Sequence, residues 1–160
     1  MKKLIGLAVL ICFACSGAES GKGGSAKADT SAAPQSASDQ NTCSAIAASE
    51  LADALGGPVT RQESPTSKRC VYYTSNPVVY ADIEIDRESG EESWKGVNAG
   101  DSLIGAQQDS LAGIGDMAFF GPRDRLYVKK GNTFIAIEAG FDDKVRERAR
   151  KIARVVAPKL

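Results

Sequence analysis

Residues Met117 to Gly140 read MAFFGPRDRLYVKKGNTFIAIEAG, and this stretch decides the fold. Its composition predicts three consecutive short antiparallel strands, and the last two fit one hairpin register. Gly131-Asn132 supplies a two-residue turn of the kind that needs positive φ, type II′ or I′. With that turn, Lys130 faces Thr133, Lys129 faces Phe134, Val128 faces Ile135, Tyr127 faces Ala136 and Leu126 faces Ile137. Leu126, Val128, Ile135 and Ile137 then share one face, which a strand pair burying one side requires. A slip of one residue would mix Tyr127 and Lys129 into that set, so the register is well specified.

Outward from this stretch, Val78 to Asp86 is the cleanest alternating segment of the chain. Val79, Ala81, Ile83 and Ile85 point one way; Tyr80, Asp82, Glu84 and Asp86 point the other. Cys70-Val-Tyr-Tyr is a further strand, reached through a polar loop from Arg61 to Lys68. Cys43 to Gly56 is alanine-rich and ends in Gly56-Gly57-Pro58, so it reads as a helix, part of which has an alternative start at Ser49 as N-cap. Glu91 to Ala99 is a weaker helix around Trp94 and Val97, and Gly113-Ile-Gly115 turns the chain into the strand cluster. A last helix opens at Asp142-Asp143 and runs to about Ala157, where Pro158 stops it. Val145, Ala149, Ile152 and Val156 form its apolar stripe. The fold class expected is α+β. An antiparallel sheet of about five strands (70–74, 78–86, 117–120, 125–130, 133–139) carries the first and last helices on one face. Tyr80, Tyr127 and Phe134 lie on the other face, either partly exposed or covered by the 91–112 segment.

The chain before residue 42 has a different character. Lys2 and Lys3 precede an apolar run, Leu4 to Ala14, too short to span a bilayer and of the length of a signal-peptide core. The run ends in Phe13-Ala14-Cys15-Ser16, which resembles the lipobox of bacterial lipoproteins, with Cys12 where Leu is usual. The resemblance implies that residues 1–14 are removed and that Cys15 becomes the lipidated first residue. The alternative is cleavage by ordinary signal peptidase. From Ser16 to about Gln40 the chain holds no large apolar residue, so nothing offsets the entropy of ordering it. Residues 15–41 thus read as lipidated cysteine plus tether, with an r.m.s. span of roughly 25–30 Å. By analogy with known lipoproteins, Ser16 rather than Asp after the cysteine implies the outer membrane in a diderm. Residues 42–160 form the one folded domain.

The 160 residues hold 20 basic and 20 acidic side chains and no histidine. Without histidine there is no Ser-His or Cys-His catalysis, and the commonest zinc sites are excluded. No metal or cofactor site is read. Asp82, Glu84 and Asp86 invite comparison with a Ca²⁺ site, but along one strand they spread over roughly 13 Å and do not converge. Gly113-Ile-Gly115-Asp116 precedes strands rather than a helix and lacks Gly-Lys-Ser/Thr, so it is no phosphate loop. Arg146, Arg150 and Arg154 recur on the last helix, with Lys144, Arg148 and Lys151 beside them. That face suits either solvent or anionic headgroups. Its interspersed acids, and a slightly acidic mature chain, argue against nucleic acid. Cys43 and Cys70 remain once Cys12 and Cys15 are placed, and outside the cytoplasm two such cysteines normally pair.

CSAIAASELADALGGPV followed by an isolated Cys70-Val-Tyr-Tyr is similar to the opening of small actinobacterial lipoproteins, domain of unknown function 3558. LAGIGDMAFF, LYVKKGNTFIAIEAG and a helix near the C-terminus are similar to their ending. The likeness runs in order through most of residues 42–160. It departs at Ala45-Ile46-Ala47, where Leu-Leu-Thr is typical. The resemblance implies a secreted, lipid-anchored α+β domain with its two cysteines bridged, and no particular activity. The function expected is a non-enzymatic binding module of the cell envelope, anchored to the membrane through lipid and facing an envelope protein, glycan or lipid. The alternative is an envelope hydrolase or transferase using carboxylates or a Ser/Lys nucleophile. The candidate binding face is Tyr127, Lys129 and Phe134, joined by Tyr72 or Tyr80 according to strand pairing. Aromatic rings interleaved with a cation offer apolar area with little entropy to lose. If Trp94 covers them, they are core instead.

Overall fold

A computed structural model describes residues 41–103 and 111–160. The expected signal peptide, Cys15 and the expected tether, as well as 104–110 of the 91–112 segment, lie outside the described residues. Six antiparallel strands form one sheet in the order β1-β2-β3-β6-β5-β4. They are β1 (Arg61–Thr66), β2 (Arg69–Tyr73), β3 (Tyr80–Asp86), β4 (Met117–Phe120), β5 (Leu126–Lys130) and β6 (Thr133–Glu138). The β5–β6 register is the expected one at all five pairs, from Lys130↔Thr133 to Leu126↔Ile137. Gly131 takes a positive φ of 57° while Asn132 is absent from the positive-φ residues, the type II′ pattern.

Arg61–Thr66 is a strand where the sequence reads as a loop. Every residue of RQESPT is exposed, so no apolar alternation marks it. Its order comes from the backbone: Arg61 pairs Tyr73, Gln62 pairs Tyr72 and Glu63 pairs Val71, and the register then shifts before Thr66. The irregularity and Pro65 sit on the sheet's outer edge, where both are tolerated and both discourage further pairing.

The first helical region is broken rather than continuous. α1 (Thr42–Ala45) is followed by extended Ile46 and Ala47, a 3₁₀ turn (Ala48–Leu51) and α2 (Ala52–Leu55), which closes on left-handed Gly56. The break puts Ile46 wholly inside and lets its carbonyl accept the Tyr72 hydroxyl at 2.9 Å. The chain restarts with the Glu50 carboxylate accepting the Ala47 amide at 3.0 Å, so Ser49 is not the cap. A bulky core anchor thus overrides alanine-rich helix propensity.

α4 (Val145–Val156) lies on the same sheet face as α1 and α2. Val145, Ala149, Ile152 and Val156 are buried with Ile46, Leu51, Tyr72, Ile83, Ile85, Leu126, Val128, Ile135 and Ile137 in one core. Asp142 and Asp143 precede the helix, and Pro158 is accommodated in a closing 3₁₀ turn rather than ending the chain's winding outright. α3 (Gly90–Leu103) takes the opposite face and is longer than the expected 91–99. There Trp94 joins Phe119, Phe134 and Ala136 in a second, smaller core, with Val97 and Tyr127 at its border. Among the described residues, α1, α2 and α4 therefore pack on one sheet face and α3 on part of the other.

Candidate functional site

Cys43 and Cys70 form a disulfide with Cα atoms 5.1 Å apart, tying α1 to β2. The sheet's second face divides into a covered and an open part, and the candidate face falls in the covered part. Phe134 is buried and stacks with Tyr127 at 5.9 Å between ring centres, Tyr127 meets Phe119 at 5.5 Å, and Phe119 meets Trp94 edge-on at 5.2 Å. Lys129, half-buried, pairs with Glu91 of α3, and that bond holds the Glu91 carboxyl below its ordinary range. Of the two arrangements open to Tyr127, Lys129 and Phe134, the structure shows the covered one. Tyr72 points into the main core, where burial first and the Glu50 charge second push its hydroxyl up to about 12. What remains accessible here is a shallow groove of about 330 Å³ between α3 and the sheet, lined by Glu84, Ser93, Val97, Arg125, Tyr127 and Phe134.

The three carboxylates of β3 are each taken by a cation. Asp82 accepts from Arg69 in a two-pronged pair, with Nε at 2.8 Å, and Glu84 accepts from Arg125 at 3.1 Å. Asp86 is buried and accepts Lys68 Nζ, Ser89 Oγ and Ser93 Oγ, each at 2.9 Å, together with the Glu88 and Ser89 amides. Burial alone would raise its carboxyl, but the Ser89 amide, Lys68 and the two hydroxyls outweigh it and hold it well below the aspartate range. This is a helix start built on a carboxylate. Both hydroxyls donate to an anion fixed in its charged form, so neither is prepared as a nucleophile. No group of three or more Cys, Asp or Glu among the described residues is placed to hold a metal ion.

On α4 the expected basic face is interrupted. Arg148, read as a surface cation, is buried; it donates to the Ala139 carbonyl and, at 2.6 Å, to Asp142. Arg146 pairs with Asp124 at 2.7 Å, and the Arg146 and Arg150 guanidiniums lie about 5 Å from the Phe120 ring centre. Lys151 pairs with Glu147 at 2.7 Å. Apart from the Lys151–Glu147 pair within the helix, these contacts bind it to β4 and to the loops beside it.

The open part of the second face, over β1, β2 and the outer end of β3, holds a cross-strand row. Arg61 is the register partner of Tyr73, and Tyr73 of Tyr80. Arg61 stacks on the Tyr73 ring at 4.0 Å, and Tyr80 meets Phe141 edge-on at 5.4 Å. The Tyr80 hydroxyl donates to Glu138; burial, then this bond, pushes its pKa upward. Phe141 is 72% exposed and Val78 44%. Sequence reasoning placed Tyr80 on this face but missed Tyr73, Val78 and Phe141. The last two lie in loops: Val78 falls in phase with Tyr80 in the alternating 78–86 segment but just before β3 begins, and no periodicity points to Phe141. The only signal for Phe141 was an aromatic residue standing alone between Gly140 and Asp142.

No family model, curated protein or solved structure matches the chain.

Proposed function

We propose that this chain is an exported, lipid-anchored lipoprotein of the bacterial cell envelope whose domain works as a tethered, non-enzymatic binding module. The lipobox-like Phe13-Ala14-Cys15-Ser16 supports the anchor. The Cys43–Cys70 disulfide fits an oxidising compartment outside the cytoplasm. The observation that carries the binding reading is the open half of the second sheet face. Half-buried Tyr73 and Tyr80 and exposed Arg61 and Phe141 stand there side by side, while Arg61 with Glu63 and Arg69 with Asp82 neutralise one another in pairs rather than converging on a pocket. Such a surface suits recognition, where apolar rings supply area and paired charges supply orientation. It lies away from the Tyr127-Lys129-Phe134 set, whose remaining groove is shallow.

Cell fractionation with Cys15→Ser tests the anchor, and metabolic palmitate labelling reports the lipid directly. The variant is expected in the soluble fraction and unlabelled; unchanged partition and labelling would overturn the reading.

A further inference from the structure

Phe141 stands out because the fold fixes it in the open. Its loop is clamped from inside by Arg148, only 7% exposed, which donates both to the Ala139 carbonyl and to Asp142. Gly140 holds φ at 93°, and a Cβ there would run into the Val78 carbonyl. The Phe141 amide donates to that same carbonyl at 3.2 Å. A buried cation and a left-handed glycine therefore hold a phenyl ring that is itself 72% exposed. A ring already ordered before contact loses little further entropy on binding, the property of an interface anchor.

The surroundings define the partner's chemistry. Arg61 is paired with Glu63 and Arg69 with Asp82, so these charges cancel locally. Glu138 has no cation within salt-bridge distance among the described residues; its bond comes from the uncharged Tyr80 hydroxyl, and Arg69, the cation whose field reaches it, is committed to Asp82. Among the described residues, the row thus carries one carboxylate without a salt-bridge partner, bonded to the Tyr80 hydroxyl. The rings do not make a flat platform for a sugar. Tyr80 and Phe141 are inclined at 64°, and the Tyr73 face is already taken by the Arg61 guanidinium. That stacked guanidinium also shows which group the row accepts over a ring. Position agrees. The described part of the domain begins at Asn41, bonded to Ser64 beside the β1–β2 turn, whereas Tyr73, Tyr80 and Phe141 sit at the other ends of the strands.

We infer that this surface, resting on the binding-module reading above, docks a basic polypeptide segment: Phe141 and Val78 fill an apolar recess of the partner, and Glu138 meets its lysine or arginine. The face lies at the end of the described domain remote from Asn41.

The test is selection of a random dodecapeptide display library on the immobilised full-length protein in detergent micelles, with selected peptides then measured by fluorescence anisotropy. The expected outcome is enrichment of peptides in which Lys or Arg neighbours apolar residues. Phe141→Ala should weaken them about tenfold or more, and Glu138→Gln several-fold, with the melting temperature unchanged in both. Failure to enrich basic peptides overturns the inference, as does binding that survives both substitutions. Binding of envelope glycan fragments that depends on Phe141, with no peptide selected, replaces the partner and leaves the module reading intact. Fractionation of the same variants separates this from the anchor, since neither substitution should alter membrane partition.

Discussion

Phe134 and Phe141 are the same side chain with opposite surroundings, and truncating each should give opposite results. Phe134 sits under Trp94 and against Tyr127 and Ala136, so Phe134→Ala opens a cavity and should cost about 3–5 kcal/mol in urea denaturation. Phe141 touches the molecule chiefly through the edge of Tyr80, so Phe141→Ala should fall within about 0.5 kcal/mol of wild type. A large loss from Phe141→Ala would mean that the exposed ring serves the fold. Asp86 makes a third test. Its native carboxyl is held below the unfolded value, so the unfolded chain takes up a proton first as pH falls. The stabilisation is complete above the ordinary aspartate pKa of about 3.9 and is lost as pH drops through the native value. Asp86→Asn should cost about 1.5–3 kcal/mol at neutral pH and flatten the acid limb of stability against pH. An unaltered acid limb would remove Asp86 as its source.

Among the elements, legibility in the sequence followed the source of each one's stability. β5 and β6 could be registered residue by residue because alternation and turn agree, and a one-residue slip would expose Ile135 and Ile137. β1 is invisible to the same reasoning: its six side chains are all exposed, and its order lies in backbone bonds to β2. The break at Ile46 was equally hidden, since local propensity favours helix and only the Tyr72 hydroxyl and the core demand otherwise. The covering of the candidate face by α3 was foreseen as one of two outcomes; choosing between them needed Trp94 placed over Phe119 and Phe134. α1 is four residues long and fastened by one covalent bond, so it should be the element most dependent on the disulfide. Replacing both Cys43 and Cys70 by serine frees a loop of 27 residues and should cost roughly 3.5 kcal/mol by chain entropy, read from the urea midpoint. Amide exchange should then accelerate at Thr42–Ala45 before it does in β6. Equal acceleration everywhere would show that α1 does not open as a separate unit.

At the scale of the whole molecule, two kinds of information contribute to function, and they come from different parts of the chain. The proposed anchor rests on charge, apolar length and a cysteine within residues 1–40, so it could be proposed without any structure. The docking surface is assembled from Arg61, Tyr73, Tyr80, Glu138 and Phe141, five positions on four separate segments that only the strand order brings together. No helix among the described residues is long and apolar enough to cross a membrane. Phe141 and Val78 are exposed, but each offers only a side chain's worth of apolar area, and Asp142 and Asp143 beside them disfavour an anionic bilayer surface. Membrane attachment in the proposed arrangement therefore rests on acyl chains at Cys15, each buried methylene contributing about 0.8 kcal/mol. A Cys15→Ser protein that is still exported should accordingly leave the membrane fraction, keep the wild-type melting temperature and retain the Cys43–Cys70 bridge, measured as thiols that resist alkylation until reduced. Soluble protein that binds the selected basic peptides with undiminished affinity would show anchor and docking surface to be separable. Retention in the membrane by Cys15→Ser, released only when Phe141 is also replaced, would instead make the aromatic tip a membrane contact and overturn both assignments together.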